Sequence, residues 1–305
     1  MSLNAGLVNP YNIKELTERI MQSASNRAKR PFRDNQIFTG FHLLDDVIWG
    51  FKDGEAILLA ASEGMGKRCL ALNIVDHLCG DDGCTVAYFT RPGTKSRIAA
   101  RMISINTGVD VEELCSNRDI LPYDVGKIGD YSKHLSGYQL VIDDTTGLKL
   151  GAIKNRCNNW KKEGMDLNLV IIDYLQLIRI RGLRNGKDYC RISEQLKALA
   201  VELGCPVLVL SSLPEFIEKR KFKRPRKEDL EKAYGPLSRI YDKVLFLYRD
   251  RGYINREAEI SVIKGSLTGA TRLITLEVSP YDGRLGGFLY GKYRNKYSLA
   301  DLPFC

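Results

Sequence analysis

Between residues 55 and 212 the apolar positions fall into short, nearly continuous runs: AILLAA, TVAYFT, QLVIDD, LNLVIIDY and PVLVLSS. Runs of that kind predict strands buried on both faces of a sheet. Between them the spacing becomes helical over 67–79, 95–106, 150–163 and 189–203. Alternation of β and α predicts an α/β fold, a mostly parallel central sheet flanked by helices. Downstream, DKVLFLYRD, AEISVIKGS, TRLITLEVS and GRLGGFLYG are strand-like runs joined by turns, expected to extend that sheet with antiparallel strands at its C-terminal end. Ahead of the domain, residues 11–28 place Ile13, Leu16 and Ile20 at helical spacing with charges between them. That is an amphipathic helix, and the polar, basic KRPFRDNQIFTG after it reads as a linker. The expected division is helix and linker over 1–35 and one large domain over 36–305.

Composition narrows the partners. Lys and Arg total 46 against 37 Asp and Glu, a formal charge of +9, which favours an anionic partner, nucleic acid first and acidic lipid second. There is no apolar run of 18 or more residues, and MSLNAGLVNPYNIKEL lacks the order of a secretion signal. The expectation is a cytoplasmic protein with no membrane span. The eight cysteines include no C-x-x-C spacing, so neither a zinc ribbon nor a redox pair is predicted. His77, Cys79 and Cys84, the closest cluster, read as packing residues at a helix end, and no metal site is assigned.

The chemistry concentrates in ILLAASEGMGKRCLALNIV, residues 57–75. An apolar strand enters a Gly64-Met65-Gly66-Lys67 turn, and a helix leaves it. This geometry lets backbone N–H groups and a lysine cradle phosphates at a helix N-terminus. Two positions depart from the motif: Ala61 replaces its first glycine, and Arg68 replaces the Ser or Thr whose hydroxyl binds magnesium.

Four segments in order, GFHLLDDVIWGFKDGEAILLAASEGMGKRCLALNIV, LVIIDYLQLI, RISEQLKALAVELGCPVLVLSSL and DKVLFLYRD, resemble the C-terminal motor domain of DnaB-type replicative helicases. DYLQL beside an apolar strand is the most specific piece. NIKELTERI with the basic stretch after it is similar to that family's linker helix. The resemblance implies a RecA-like P-loop fold, a hexameric ring, ATP or ADP bound between subunits and single-stranded DNA in a central channel. Carried over by motif, Gly64, Met65, Gly66, Lys67 and Arg68 form the phosphate loop, Asp173 and Gln176 the second nucleotide motif, and Lys264 the surviving half of a trans-acting Lys-x-Arg. Ile13, Leu16 and Ile20 become the contact to an adjacent subunit or a related helicase.

Four of the family's catalytic positions are substituted. Arg68 stands at the magnesium ligand, which disfavours Mg2+. YFTRPGTKS offers no carboxylate where the family has its base, Ser212 stands at the sensor glutamine, and Ser266 at the finger arginine. An arginine finger alone contributes roughly 10³–10⁵ in rate, so the joint loss implies weak or absent turnover. Glu63 is the one candidate base beside the loop.

Two basic loops remain. RIRGLRNGK supplies Arg179, Arg181, Arg184 and Lys187, and KRKFKRPRK, seven basic residues in nine, supplies Lys219, Arg220, Lys221, Lys223, Arg224, Arg226 and Lys227. By the resemblance both face the channel and hold the DNA backbone without sequence preference, and Phe222 could stack on a base. The leading expectation is a DNA-binding, helicase-type subunit in replication with ATP hydrolysis weak or lost. The rivals are a working helicase with rearranged catalysis and a non-catalytic regulator that binds a helicase through the linker helix.

Overall fold

The computed structural model describes residues 35–116, 120–147, 149–178, 188–250 and 257–277. The helix expected over 11–28, with Ile13, Leu16 and Ile20, lies outside them. So do Arg179, Arg181, Arg184 and Lys187 of the first basic loop and the run GRLGGFLYG.

Among the described residues the central sheet has eight strands in the order β10-β9-β8-β3-β7-β6-β4-β5. They are β3 (Ala56–Ala61), β4 (Thr85–Thr90), β5 (Leu140–Asp143), β6 (Leu167–Asp173), β7 (Val207–Ser212), β8 (Lys243–Arg249), β9 (Glu257–Lys264) and β10 (Arg272–Glu277). A small antiparallel pair, β1 (Gln36–Ile37) and β2 (Phe51–Lys52), brackets helix α1 (His42–Ile48) ahead of it. The predicted helices form as α2 (Lys67–Gly80), α3 (Lys95–Thr107), α6 (Leu150–Lys162) and α7 (Tyr189–Leu203).

The continuous apolar runs have a direct physical reading in β3. All six of its residues are buried, and their alternation feeds two separate cores. Ile57, Leu59 and Ala61 face the core filled by Leu70, Ile74 and Leu78 of α2 and Ile98, Met102 and Ile105 of α3. Ala56, Leu58 and Ala60 face the core filled by Ile153 and Cys157 of α6 and Ile192, Leu196 and Leu199 of α7. A strand with helices on both faces has no side for polar residues. Truncating Leu59 to Ala, at 1% exposure, is expected to cost about 2–5 kcal/mol, read as a lowered urea midpoint at unchanged m-value.

Two expectations are corrected. DKVLFLYRD, expected to be antiparallel, forms β8 parallel to β3, with Ile57 beside Lys243 and Ala60 beside Phe246. Parallel neighbours need a long crossover, and the segment after β7, with its two short helices α8 (Lys227–Tyr234) and α9 (Leu237–Ile240), supplies it. Antiparallel pairing begins one strand later, at β8 with β9 and β9 with β10. Lys227, read as the end of a basic loop, is the first residue of α8. Helices α4 (Val111–Cys115) and α5 (Pro122–Leu135) were unassigned in the sequence. Gly126 and Gly129 dilute the helical signal of α5, while Pro122 opens it at a position where the missing N–H costs nothing.

Candidate functional site

Strands β3, β4, β6, β7 and β8 are mutually parallel, so their C-terminal ends open on one edge of the sheet, where ligands of such sheets bind. The phosphate loop leaves β3 there. Gly64 and Gly66 have φ of 75° and 99°, a left-handed conformation that a Cβ would strain, and Gly66 is the N-cap of α2. A cleft of about 490 Å³ lies at this edge, lined by Glu63, Gly64, Gly66, Lys67, Arg68 and Cys69 from the loop and helix, by Arg91 and Arg101, and by Asp173, Tyr174, Ser212 and Arg249.

Within it Lys67 Nζ donates to the carbonyl oxygens of Ala61 at 2.7 Å and Ser62 at 3.0 Å. Burial pushes the Lys67 ammonium down to about 8, helped by Arg68, while Glu63 and Asp173 pull the other way. The fold bears the cost of this charge below about pH 8, and the cost fades as pH rises towards the ordinary value of 10.5. An anion prefers the protonated lysine. Phosphate affinity is therefore expected to fall by up to tenfold per pH unit above about pH 8. Calorimetric titration with ATP across that range checks this, and Lys67→Arg should remove the fall.

Arg68 Nε donates to Asp173 Oδ2 at 2.5 Å. The same oxygen accepts from the Tyr88 hydroxyl at 3.0 Å and, at the long limit of 3.4 Å, from Thr90 Oγ1. Asp173 is 4% exposed, and its Oδ2 is held by protein donors and a cation. Magnesium takes oxygen ligands in tight octahedral geometry. Here the residue after the lysine offers only N–H donors, and its guanidinium holds the carboxylate that would support the metal. The residues present do not fit a divalent cation. Among the described residues no group of three or more His, Cys, Asp or Glu converges as a metal site.

The sequence-predicted residues divide. Gly64, Gly66, Lys67, Arg68 and Asp173 meet at the cleft. Met65 packs in the core at 3% exposure. Gln176 is held on the end of β7, its Nε2 donating to Ser211 Oγ at 2.9 Å and Ser212 O at 3.1 Å. Lys264 is not among the cleft residues; its Nζ donates to Tyr241 O at 2.6 Å and Arg239 O at 3.3 Å. At the end of β4, Thr90 is fully buried and shares a hydrogen bond of 3.0 Å with Thr94 Oγ1. Glu63 and Asp173 are the cleft's carboxylates. Sequence reasoning gave no site role to Arg91, Arg101 or Arg249. Arg249 closes a parallel strand, so reading β8 as antiparallel placed it at the wrong edge. The cleft thus carries five cations against two carboxylates.

The second basic loop leaves β7 from the same edge. Arg220 is spent internally, its Nη1 and Nη2 donating to Asp229 Oδ1 and Oδ2 at 2.7 and 2.8 Å. Asp229 Oδ2 also accepts from Arg226 N at 2.8 Å, capping α8. Arg224 forks onto Glu259 at 2.5 and 2.6 Å and stacks over Tyr248. Lys227 lies 3.7 Å from Glu231. Lys219, Lys221 and Lys223 are exposed and form no ion pair among the described residues, and Phe222 is 66% exposed with the Lys221 ammonium 5.8 Å from its ring centre. The other basic stretch leaves after the turn Leu175–Leu177 behind β6, the neighbour of β7, and the chain returns at Asp188, the N-cap of α7.

The parallel sheet, the glycine-lysine loop at its C-terminal edge and the buried aspartate that ends β6, two strands from β3, define a RecA-like P-loop domain. Residues 36–280 match the DnaB-like helicase C-terminal domain, and the chain belongs to that family. The replicative DNA helicase DnaB of Geobacillus stearothermophilus is 33% identical over 254 residues, covering 81% of this chain and 54% of that protein. The replicative DNA helicase DnaC of Bacillus subtilis is 32% identical over 251 residues, with the same two shares, 81% and 54%. The chain spans about half the length of these relatives. Among solved structures, the ATPase domain of G40P superposes with a TM-score of 0.78 at 25% identity, covering 91% of this chain and 99% of that one. A DnaB-like replicative helicase studied with primase gives 0.77 at 24% identity, covering 91% and 67%. Among the described residues no helix is long and apolar enough to cross a membrane.

Proposed function

We propose that this chain works in DNA replication as a DnaB-like helicase-type subunit that holds single-stranded DNA and hydrolyses ATP weakly or not at all. The observation that carries the reading is the Arg68–Asp173 pair at 2.5 Å, which puts a fixed cation where the family's magnesium chemistry is centred. Phosphate recognition is retained by the loop glycines, Lys67 and the N-terminus of α2. The turnover machinery is not. A water attacking a γ-phosphate needs a base and a stabiliser of the developing charge. Thr90, Arg91 and Pro92 at the end of β4 carry no carboxylate, and Ser266 donates to Ala270 O at 2.5 Å.

Lys219, Lys221 and Lys223, with Phe222 between them, make a cationic segment with a stacking face, suited to a strand read by charge and not by base edges. The replicative helicase relatives favour DNA as the anion over lipid. Ile13, Leu16 and Ile20 supply an apolar stripe for a second copy or a related helicase subunit, by the resemblance to the family's linker helix. The deciding experiment pairs salt-dependent single-strand binding with phosphate release on one sample. Binding without turnover supports the reading. Turnover at a helicase rate returns the chain to the working enzymes, and absence of DNA binding leaves the non-catalytic regulator.

A further inference from the structure

We infer that the cleft takes a linear polyphosphate chain, as carried by a nucleoside triphosphate, without a divalent cation, and that Arg68 serves as the built-in counter-charge. This rests on the reading that the loop binds phosphate and adds what accompanies the phosphate.

Three observations carry it. The first is identity and place: Arg68 follows Lys67 in the loop, lines the cleft and is fixed by its Nε–H on Asp173 at 2.5 Å. Its guanidinium, with N–H donors beyond Nε, is a planar group of the kind that grips phosphate oxygens. The second is the state of Asp173. Its Oδ2 already takes Arg68 and Tyr88, so a hydrated cation would have to share the carboxylate with a guanidinium, like charge against like charge. The third is the balance of the cleft. Lys67, Arg68, Arg91, Arg101 and Arg249 face Glu63 and Asp173, an excess of positive charge. The metal-free triphosphate matches it better, because a divalent cation cancels two of the ligand's negative charges before binding. Occupation requires Lys67 to release the Ala61 and Ser62 carbonyls, whereas Arg68 keeps its hold on Asp173.

The test is calorimetric titration of the purified chain with ATP and, separately, with inorganic tripolyphosphate, each in chelator and in excess Mg2+. The expected result is binding in chelator at least as tight as in Mg2+. Equal affinity for tripolyphosphate assigns recognition to the phosphate chain, and tighter ATP adds a base contact; both support the inference. A tightening of about tenfold or more by Mg2+, or no binding of either probe in chelator, overturns it. Arg68→Thr is expected to lower the chelator affinity about tenfold or more, since it removes charge-assisted hydrogen bonds, and to make binding magnesium-dependent. Unchanged chelator affinity in that variant overturns the inference too. Thermal melting of each variant checks folding. Should Arg68→Thr not fold, Arg68→Lys keeps the charge and removes the planar group, and is expected to bind more weakly in chelator without gaining from Mg2+. Strand binding measured on the same samples separates the two readings. Magnesium-tightened ATP with intact DNA binding sinks this inference alone, and metal-free ATP binding without DNA binding sinks the proposed function alone.

Discussion

With ATP, Mg2+ and single-stranded DNA all present, the purified chain is expected to release phosphate at least about 10³-fold more slowly than a helicase domain with its full catalytic set, a bound that the finger loss alone supplies. Each further absence acts on a different part of the transition state. A missing base leaves the attacking water unactivated, which is worth roughly 10²–10⁴. The Arg68–Asp173 pair keeps a cation at the loop, but a guanidinium on a buried carboxylate is not a Lewis acid for the phosphoryl oxygens. These contributions act on one reaction and do not simply multiply, so the expectation is set at the lower end of the finger's contribution alone. A coupled phosphate-release assay checks it. Turnover near ~1 s⁻¹ or faster, within the ordinary range of enzymes, would mean that Glu63 or a residue outside the described ones acts as base. Arg68→Thr alone is expected not to rescue turnover, because it restores neither a carboxylate among Thr90, Arg91 and Pro92 nor an arginine at Ser266.

The parallel core of the fold was legible because most of its strands are buried on both faces and so read as nearly continuous apolar runs. β3 divides its six residues evenly between two cores, a pattern that periodicity reads without tertiary knowledge. The direction of β8 was not legible, since direction is set by the crossover and not by the strand. The two helices that make that crossover were short, and one began inside a basic run. The same error hid Arg249. Nor could the sequence say which cations of KRKFKRPRK are free. Arg220 and Arg224 find Asp229 and Glu259, the second lying 35 positions away from Arg224 on β9. A charge run is read as uniform until its partners are placed. At the phosphate loop the reverse held. The identity of residue 68 announced a change of chemistry, and the structure added its partner, Asp173, 105 positions distant.

That partition of the basic loop yields the sharpest expectation for DNA. Neutralising Lys219, Lys221 and Lys223 together to Gln should weaken single-strand binding by a similar factor for all sequences. It should also flatten the dependence of log K on log salt by about 2, three phosphate contacts at roughly 0.7 each. The three lysines are exposed and form no ion pair among the described residues, so their removal leaves no buried charge behind, and the melting temperature should stay within the narrow range of surface substitutions. Arg220→Gln is the contrasting variant. Its guanidinium closes a bidentate pair with Asp229, which is 7% exposed and caps α8. Its loss should lower stability through the uncompensated carboxylate and disturb DNA binding only by loosening the loop. Phe222→Ala should reduce affinity at all salt concentrations by roughly 1–3 kcal/mol without changing the slope, since stacking displaces no counterions. Fluorescence anisotropy with a labelled oligonucleotide over a salt series reads all three effects. An unchanged slope in the triple lysine variant, with the fold intact, would assign this loop to the solvated surface and move DNA binding elsewhere on the chain.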